Sequence, residues 1–175
     1  MKRLSPSGVL DDREMLRYLL RLAYQEAQKS RDPSTQNGAV LVSDTGRILV
    51  QDHNHFPMGV QETPERWDRA VKLKWIEHAE RNVCYRGAWE GVGTKGLIMV
   101  CPWAACMDCA RAIIQCGIKA LVTHKQAHDR TPERWKADVD EALGMLKEAG
   151  VQIIYYDGEI GGIEGLRHSG EVWNP

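Results

Sequence analysis

In "EHAERN" (77–82) a histidine stands two residues ahead of a glutamate, as His78 and Glu80, and in "AACMDC" (104–109) two cysteines stand three apart, as Cys106 and Cys109. Thiolate and imidazole are the donors Zn²⁺ prefers, and a catalytic zinc keeps three protein ligands with a fourth position open. A carboxylate beside that open position can take a proton from water and return it to a leaving group. His78, Cys106 and Cys109 are therefore the candidate zinc ligands and Glu80 the candidate proton carrier. Each half alone is ordinary: H-x-E occurs on many helices, and C-x-x-C also serves redox pairs or half of a structural zinc site. In this order, each at an expected helix start, the pair is specific. The plain alternative is a surface His–Glu pair and two helix-packing cysteines. A four-cysteine structural site would need a second closely spaced pair, which Cys84, Cys101 and Cys116 do not form.

The surrounding pattern supplies elements to hold these residues. Leu16, Leu19, Leu20, Ala23 and Ala27 recur at helical spacing, which predicts a helix over about residues 12–30 with Asp11 or Asp12 as its cap. "AVLVS", "DTG" and "RILVQD" read as strand, tight turn and antiparallel strand. Residues 64–89 read as helix in two pieces, with Ala70, Leu73 and Ile76 on one face and Ala79 and Val83 extending it. "LIMVC" is a strand, and 107–116 a helix that Gly117 ends. "KALVTH" is a strand, and Thr131 is the expected cap of a helix that starts at Pro132 and runs to Gly150. "VQIIYY" is the last strand, and the Gly-rich stretch 157–175 shows no periodicity. Successive strand–helix–strand units require parallel pairing with right-handed crossovers, and helices on both sheet faces. The expected fold is α/β, a three-layer α-β-α sandwich on a mixed sheet of about five strands. Cys106 then falls at a strand-to-helix junction with Cys109 one turn on, where the helix dipole favours thiolates. No repeat or low-complexity stretch appears, so residues 1–175 read as one domain.

Composition narrows the class. With 175 residues, 43% hydrophobic and 27% charged, the chain can bury a globular core. A net charge of −1, from 23 basic and 24 acidic residues, lacks the basic excess of nucleic-acid binders. No apolar run reaches the length of a membrane span. The start, "MKRLSPSGVLDDRE", has no apolar leader stretch, and five cysteines are an odd count for a disulfide framework. A cytoplasmic protein with reduced thiols is expected.

H-x-E followed by C-x-x-C is the zinc-deaminase pattern, and the longer stretches sharpen it. "KSRDPSTQNGAVLV", "HNHFPMGV", "HAERN" and "CMDCARAIIQCGIKALV" resemble the zinc-dependent cytidine deaminase superfamily, and within it the deoxycytidylate (dCMP) deaminase group, over about residues 12–156. The resemblance implies hydrolysis of dCMP to dUMP and ammonia, supplying dUMP for thymidylate synthesis, by a homo-oligomer that is often a hexamer. It implies Zn²⁺ on His78, Cys106 and Cys109, and Glu80 as proton shuttle. It implies Asn54 on the substrate sugar, the Ala79 N–H on the pyrimidine carbonyl and, more distantly, Glu62 among the acidic positions after the loop. The chain departs from the pattern at Ala105, where a proline normally precedes the first cysteine, and at His55 and Met58, where the loop has Gly and Arg. Trp103 and Ala104 are unusual beside the site, and Trp103 is a candidate wall of the base pocket.

Other readings remain at this level. The tetrad also fits a modified dCMP, cytidine, a purine derivative or a tRNA adenosine, and a non-catalytic zinc scaffold has no use for Glu80. His53 and His55 can pair on a second metal, although alternation along a strand argues for plain surface or pocket residues. His124 and His128 are candidates for a phosphate or for solvated loops, Arg31 and Arg111 for phosphate or surface ion pairs. Trp67, Trp75, Trp89 and Trp135 read as helix-packing or subunit-interface residues.

Overall fold

The structure is a computed structural model describing residues 8–175; residues 1–7, half of the opening stretch on which the expectation of no leader rests, lie outside the described residues. Asp12 accepts a hydrogen bond from the Met15 N–H at 3.0 Å and so caps the first helix, α1 (Arg13–Ala27). The hairpin strands β1 (Gly38–Val42) and β2 (Ile48–His53) follow, then α2 (Arg69–Trp75) and α3 (Ala79–Glu90). The second half alternates: β3 (Ile98–Val100), α4 (Met107–Gln115), β4 (Ala120–His124), a short α5 (Lys125–Asp129), α6 (Glu133–Glu148) and β5 (Gln152–Tyr156).

The five strands form one mixed sheet in the order β2-β1-β3-β4-β5. β1 is antiparallel to both β2 and β3, whereas β3–β4 and β4–β5 are parallel, as helical crossovers demand. Side-chain alternation splits the core. Ala39, Leu41, Met99 and Leu121 face α3, α4 and α6, while Val40, Val42, Val100 and Val122 face α1 and the stretch around Ile160 and Leu166. The chain is thus the expected three-layer α/β sandwich. Among the described residues no helix is long and apolar enough to cross a membrane.

Close approach of α1 to the sheet depends on Gly38. A Cβ there would run into the backbone of Ala23 and Ala27, which no side-chain motion can relieve. Gly38→Ala is expected to cost about 3 kcal/mol in urea unfolding; an unchanged midpoint would mean that α1 can back away freely.

Several expectations need correction. Thr131 does not cap α6; its hydroxyl accepts the Trp103 indole N–H at 3.0 Å, and Pro132 stands at the cap position. On α2 the inward residue is Lys72, with Leu73 exposed, because a buried carboxylate, Asp32, draws the ammonium in. The stretch 157–175, aperiodic in sequence, contains a second small sheet, β6 (Leu166–His168) paired with β7 (Glu171–Trp173).

Candidate active site

Three metal donors meet where α3 and α4 begin. His78 and Cys106 are the residues just before the two helices, each in extended backbone (ψ 154° and 173°). These are cap positions, where Ser, Thr, Asp or Asn normally bonds the first turn, yet neither side chain makes such a bond. For α4 the task passes to Asp138 of α6, which accepts the Met107 N–H at 3.1 Å. His78 Nδ1 instead lies 3.5 Å from Cys106 Sγ and 3.6 Å from Cys109 Sγ. A tetrahedral zinc, with Zn–S about 2.3 Å and Zn–N about 2.05 Å, holds N and S about 3.6 Å apart. The spacing of the donors, and not only their chemistry, fits a zinc ion.

The surroundings favour anionic sulfur. Hydrogen bonds from Cys109 and His78 pull the Cys106 thiol down to about 3, while burial pushes the Cys109 thiol up. Arg81 is the compensating cation: its guanidinium is 3.5 Å from Cys109 Sγ and is held by Glu77.

Glu80 points at the same place. It is 2% exposed, and its Oε2 is buried without a hydrogen-bond partner. Burial, the largest influence, raises its pKa above the ordinary carboxylate range. A buried carboxylate tuned upward beside a metal triangle is suited to take up a proton and pass it on. A buried orphan oxygen at this point is what a substrate or water would satisfy.

His78, Glu80, Cys106, Asn54 and Trp103 line one cavity. Asn54 Nδ2 donates to Asp32 Oδ2 (3.2 Å) and to the Thr35 carbonyl (2.8 Å), and its Oδ1 accepts the Asn37 N–H (2.8 Å). Both donors are used, so only an Oδ1 lone pair remains for a ligand hydroxyl. Ala79 opens α3, so its N–H is among the helix's unpaired donors, between the cavity residues His78 and Glu80 in the chain, although Ala79 itself is fully buried and does not line the cavity. Glu62 is elsewhere: it is not a cavity residue and sits 3.5 Å from Arg31.

The cavity also contains residues that sequence reading passed over. The Asp32–Lys72 pair, at 2.9 Å to both carboxylate oxygens, forms part of its wall, with Arg69 and Arg134 as two further cations. Asp32 stands in the "KSRDPSTQNG" stretch already marked by resemblance; Trp135, read as a packing or interface residue, lines the cavity, and Arg69 and Arg134 carried no signal, because only the fold brings α2 and α6 to this edge.

Other candidates fall away from it. His124 is neither at the rim nor solvated; it ends β4 buried, hydrogen-bonded to the Tyr24 hydroxyl (2.7 Å) and the Gly158 carbonyl (2.8 Å). Arg111 pairs with Asp108 on the surface. The chain bends after His53, so the His53 and His55 rings are 5.2 Å apart instead of on opposite faces. They share Asp52, with Glu26 3.1 Å from His53, and Lys29 and Arg86 pair with the two carboxylates.

Comparison with known proteins agrees with this geometry. Residues 13–125 match the model of the cytidine and deoxycytidylate deaminase zinc-binding region. Deoxycytidylate deaminase of Mus musculus is 31% identical over 140 residues, covering 77% of this chain and 75% of that one. The Pongo abelii deoxycytidylate deaminase is 32% identical over 111 residues, 60% of this chain, and the match spans only 61% of that relative. In fold, the chain is similar to the dCMP deaminase of cyanophage S-TIM5 solved with dCMP and dUMP, with a TM-score of 0.65 at 20% identity over 87% of this chain and 99% of that one. The donor triangle and Glu80 lie inside the matched region, and the chain belongs to the zinc-binding cytidine and deoxycytidylate deaminase family.

Proposed function

We propose that this chain hydrolyses dCMP to dUMP and ammonia, which supplies the precursor of thymidylate. The observation that carries this is Glu80, a buried carboxylate with an unpartnered oxygen beside the His78–Cys106–Cys109 triangle. The relatives named deoxycytidylate deaminase support the choice of substrate.

His78, Cys106 and Cys109 would hold zinc. Zinc at such a position supplies Lewis acidity that lowers the pKa of water toward neutrality. Glu80 accepts the proton of the attacking water and delivers it to ring N3. The hydroxyl left on C4 then gives its own proton back to Glu80, which passes it to the departing amine as the C4–N bond breaks, so water and dCMP balance as dUMP and ammonia. The Ala79 N–H meets the pyrimidine carbonyl, Asn54 Oδ1 accepts a sugar hydroxyl, and Trp103 walls the base. Arg69 and Arg134, both exposed, offer forked donors for the 5′-phosphate. Glu62 has no part in this scheme.

The reading takes residues 1–175 as one deaminase domain, with the motifs in a core over about 12–156. It places the enzyme in the cytoplasm on a small nucleotide, not on nucleic acid. It also includes self-association: Tyr85 and Trp89, one turn apart on α3, are 55% and 71% exposed.

The test is ammonia release from dCMP, CMP, deoxycytidine and dCTP by the purified, zinc-containing protein. Turnover of dCMP well above the other three is expected. Silence on every cytosine substrate, with zinc bound, removes the reading.

A further inference from the structure

The cavity has a wall beyond the region matched by the family, which ends at residue 125. Ser169 lines it together with His78 and Glu80. β6 and β7 pair His168 with Glu171, so Ser169 and Gly170 alone make the turn between them. Both have positive φ, +54° and +87°. Two such residues in a two-residue hairpin loop make a type I′ turn, which Asn-Gly or Gly-Gly suits best. Serine is a poor choice there: among the described residues Ser169 is the one non-glycine with positive φ. The turn itself gives no reason for a hydroxyl, since glycine would form it with less strain. Contacts within the protein give none either, because Ser169 Oγ is buried without a hydrogen-bond partner. A strained residue in a cavity wall that carries a buried, unpaired hydroxyl is the pattern expected of a ligand contact.

Ser169 is held in a fixed frame. The Ser169 N–H donates to Thr35 Oγ1 (3.1 Å) and the Gly170 N–H to the Ser34 carbonyl (2.8 Å). The Gln36 N–H donates to the Arg167 carbonyl (2.9 Å), and the Arg167 N–H returns a bond to Gln36 Oε1 (3.0 Å). His168 packs on Trp103 with ring centroids 4.2 Å apart. Burial and the nearby Arg130 push the His168 pKa down to about 4, so this contact is made by a neutral ring. The hairpin thus fixes both Ser169 and the indole that walls the base pocket.

We propose that Ser169 is a substrate-binding residue whose hydroxyl hydrogen-bonds an acceptor atom of the nucleoside monophosphate in the cavity. The proposal rests on the nucleotide reading of the site given above.

The test is calorimetric binding of dUMP, dAMP and dGMP to the zinc-loaded full chain, as wild type, Ser169→Gly and Ser169→Ala, with a thermal midpoint for each. Both variants are expected to bind the preferred nucleotide about 5- to 10-fold more weakly, the loss for one hydrogen bond. The Gly variant relieves the positive φ, so its midpoint should not fall, and weaker binding by it cannot come from a damaged fold. A merely structural serine predicts wild-type affinity in Ser169→Gly. That result overturns the proposal and leaves the dCMP reading standing. Preference for a purine, weakened in both variants, supports Ser169 and overturns the dCMP reading. No binding of any nucleotide by the wild type overturns both.

Discussion

Glu80→Gln is expected to lower turnover of dCMP about 1,000-fold while leaving zinc content unchanged. Glutamine preserves the shape of the side chain, so packing around this buried second residue of α3 is kept. What it cannot do is carry a proton from water to the ring and on to the amine. Zinc content should hold because Glu80 is not one of the three donors, whose N···S spacings of 3.5 and 3.6 Å are set by His78, Cys106 and Cys109. Nor should the variant lose thermal stability, since it removes a buried carboxylate that has an unsatisfied oxygen. Ammonia release and metal analysis on one preparation decide the matter. A variant that keeps a tenth of the wild-type rate would show that another group moves the proton.

Lys72→Met should have the largest effect on stability, a loss of about 4 kcal/mol in urea unfolding. The ammonium sits 2.9 Å from both oxygens of Asp32, and both residues are buried. Removing one partner strands a charge in a low-dielectric site, which costs far more than the pair contributes as a whole. Asp32 does more than pair. Its Oδ1 accepts the N–H groups of Ser34 (2.8 Å) and Thr35 (3.1 Å), and its Oδ2 accepts from Asn54. The carboxylate therefore organises the loop that meets both the cavity and the β6–β7 hairpin. The double variant Asp32→Asn/Lys72→Met should recover part of the loss, with a coupling energy above about 1 kcal/mol. Strictly additive effects would mean that the two charges do not act as a pair.

The metal triangle was legible because its chemistry is scarce and its offsets are local. His78 and Glu80 are fixed by two residues of chain, Cys106 and Cys109 by one helical turn, and each pair opens a helix. The mixed sheet was legible for a similar reason, since strand–helix–strand order in the second half leaves only parallel pairing for β3, β4 and β5. What stayed hidden depends on distant partners. Nothing near Lys72 in sequence announces Asp32, forty residues away, and periodicity placed Leu73 on the inner face instead. Thr131 and Pro132 read as a helix start, but the hydroxyl was already committed to Trp103. The three-residue strands β6 and β7 are too short for alternation to be seen, and the bonds that place them run to residues 34–36.

Those bonds also set an order of events in synthesis. Ser169 and Thr35 are 134 residues apart, Arg167 and Gln36 131. Contacts of such sequence separation form late, after the loop-closure entropy of nearly the whole chain has been overcome. On a ribosome, the helices bearing His78, Cys106 and Cys109 emerge well before residues 166–173. A nascent chain can therefore assemble the donor triangle first and gain the hairpin wall only once residues 166–173 have emerged, so capture of the metal and recognition of the nucleotide are separated in time.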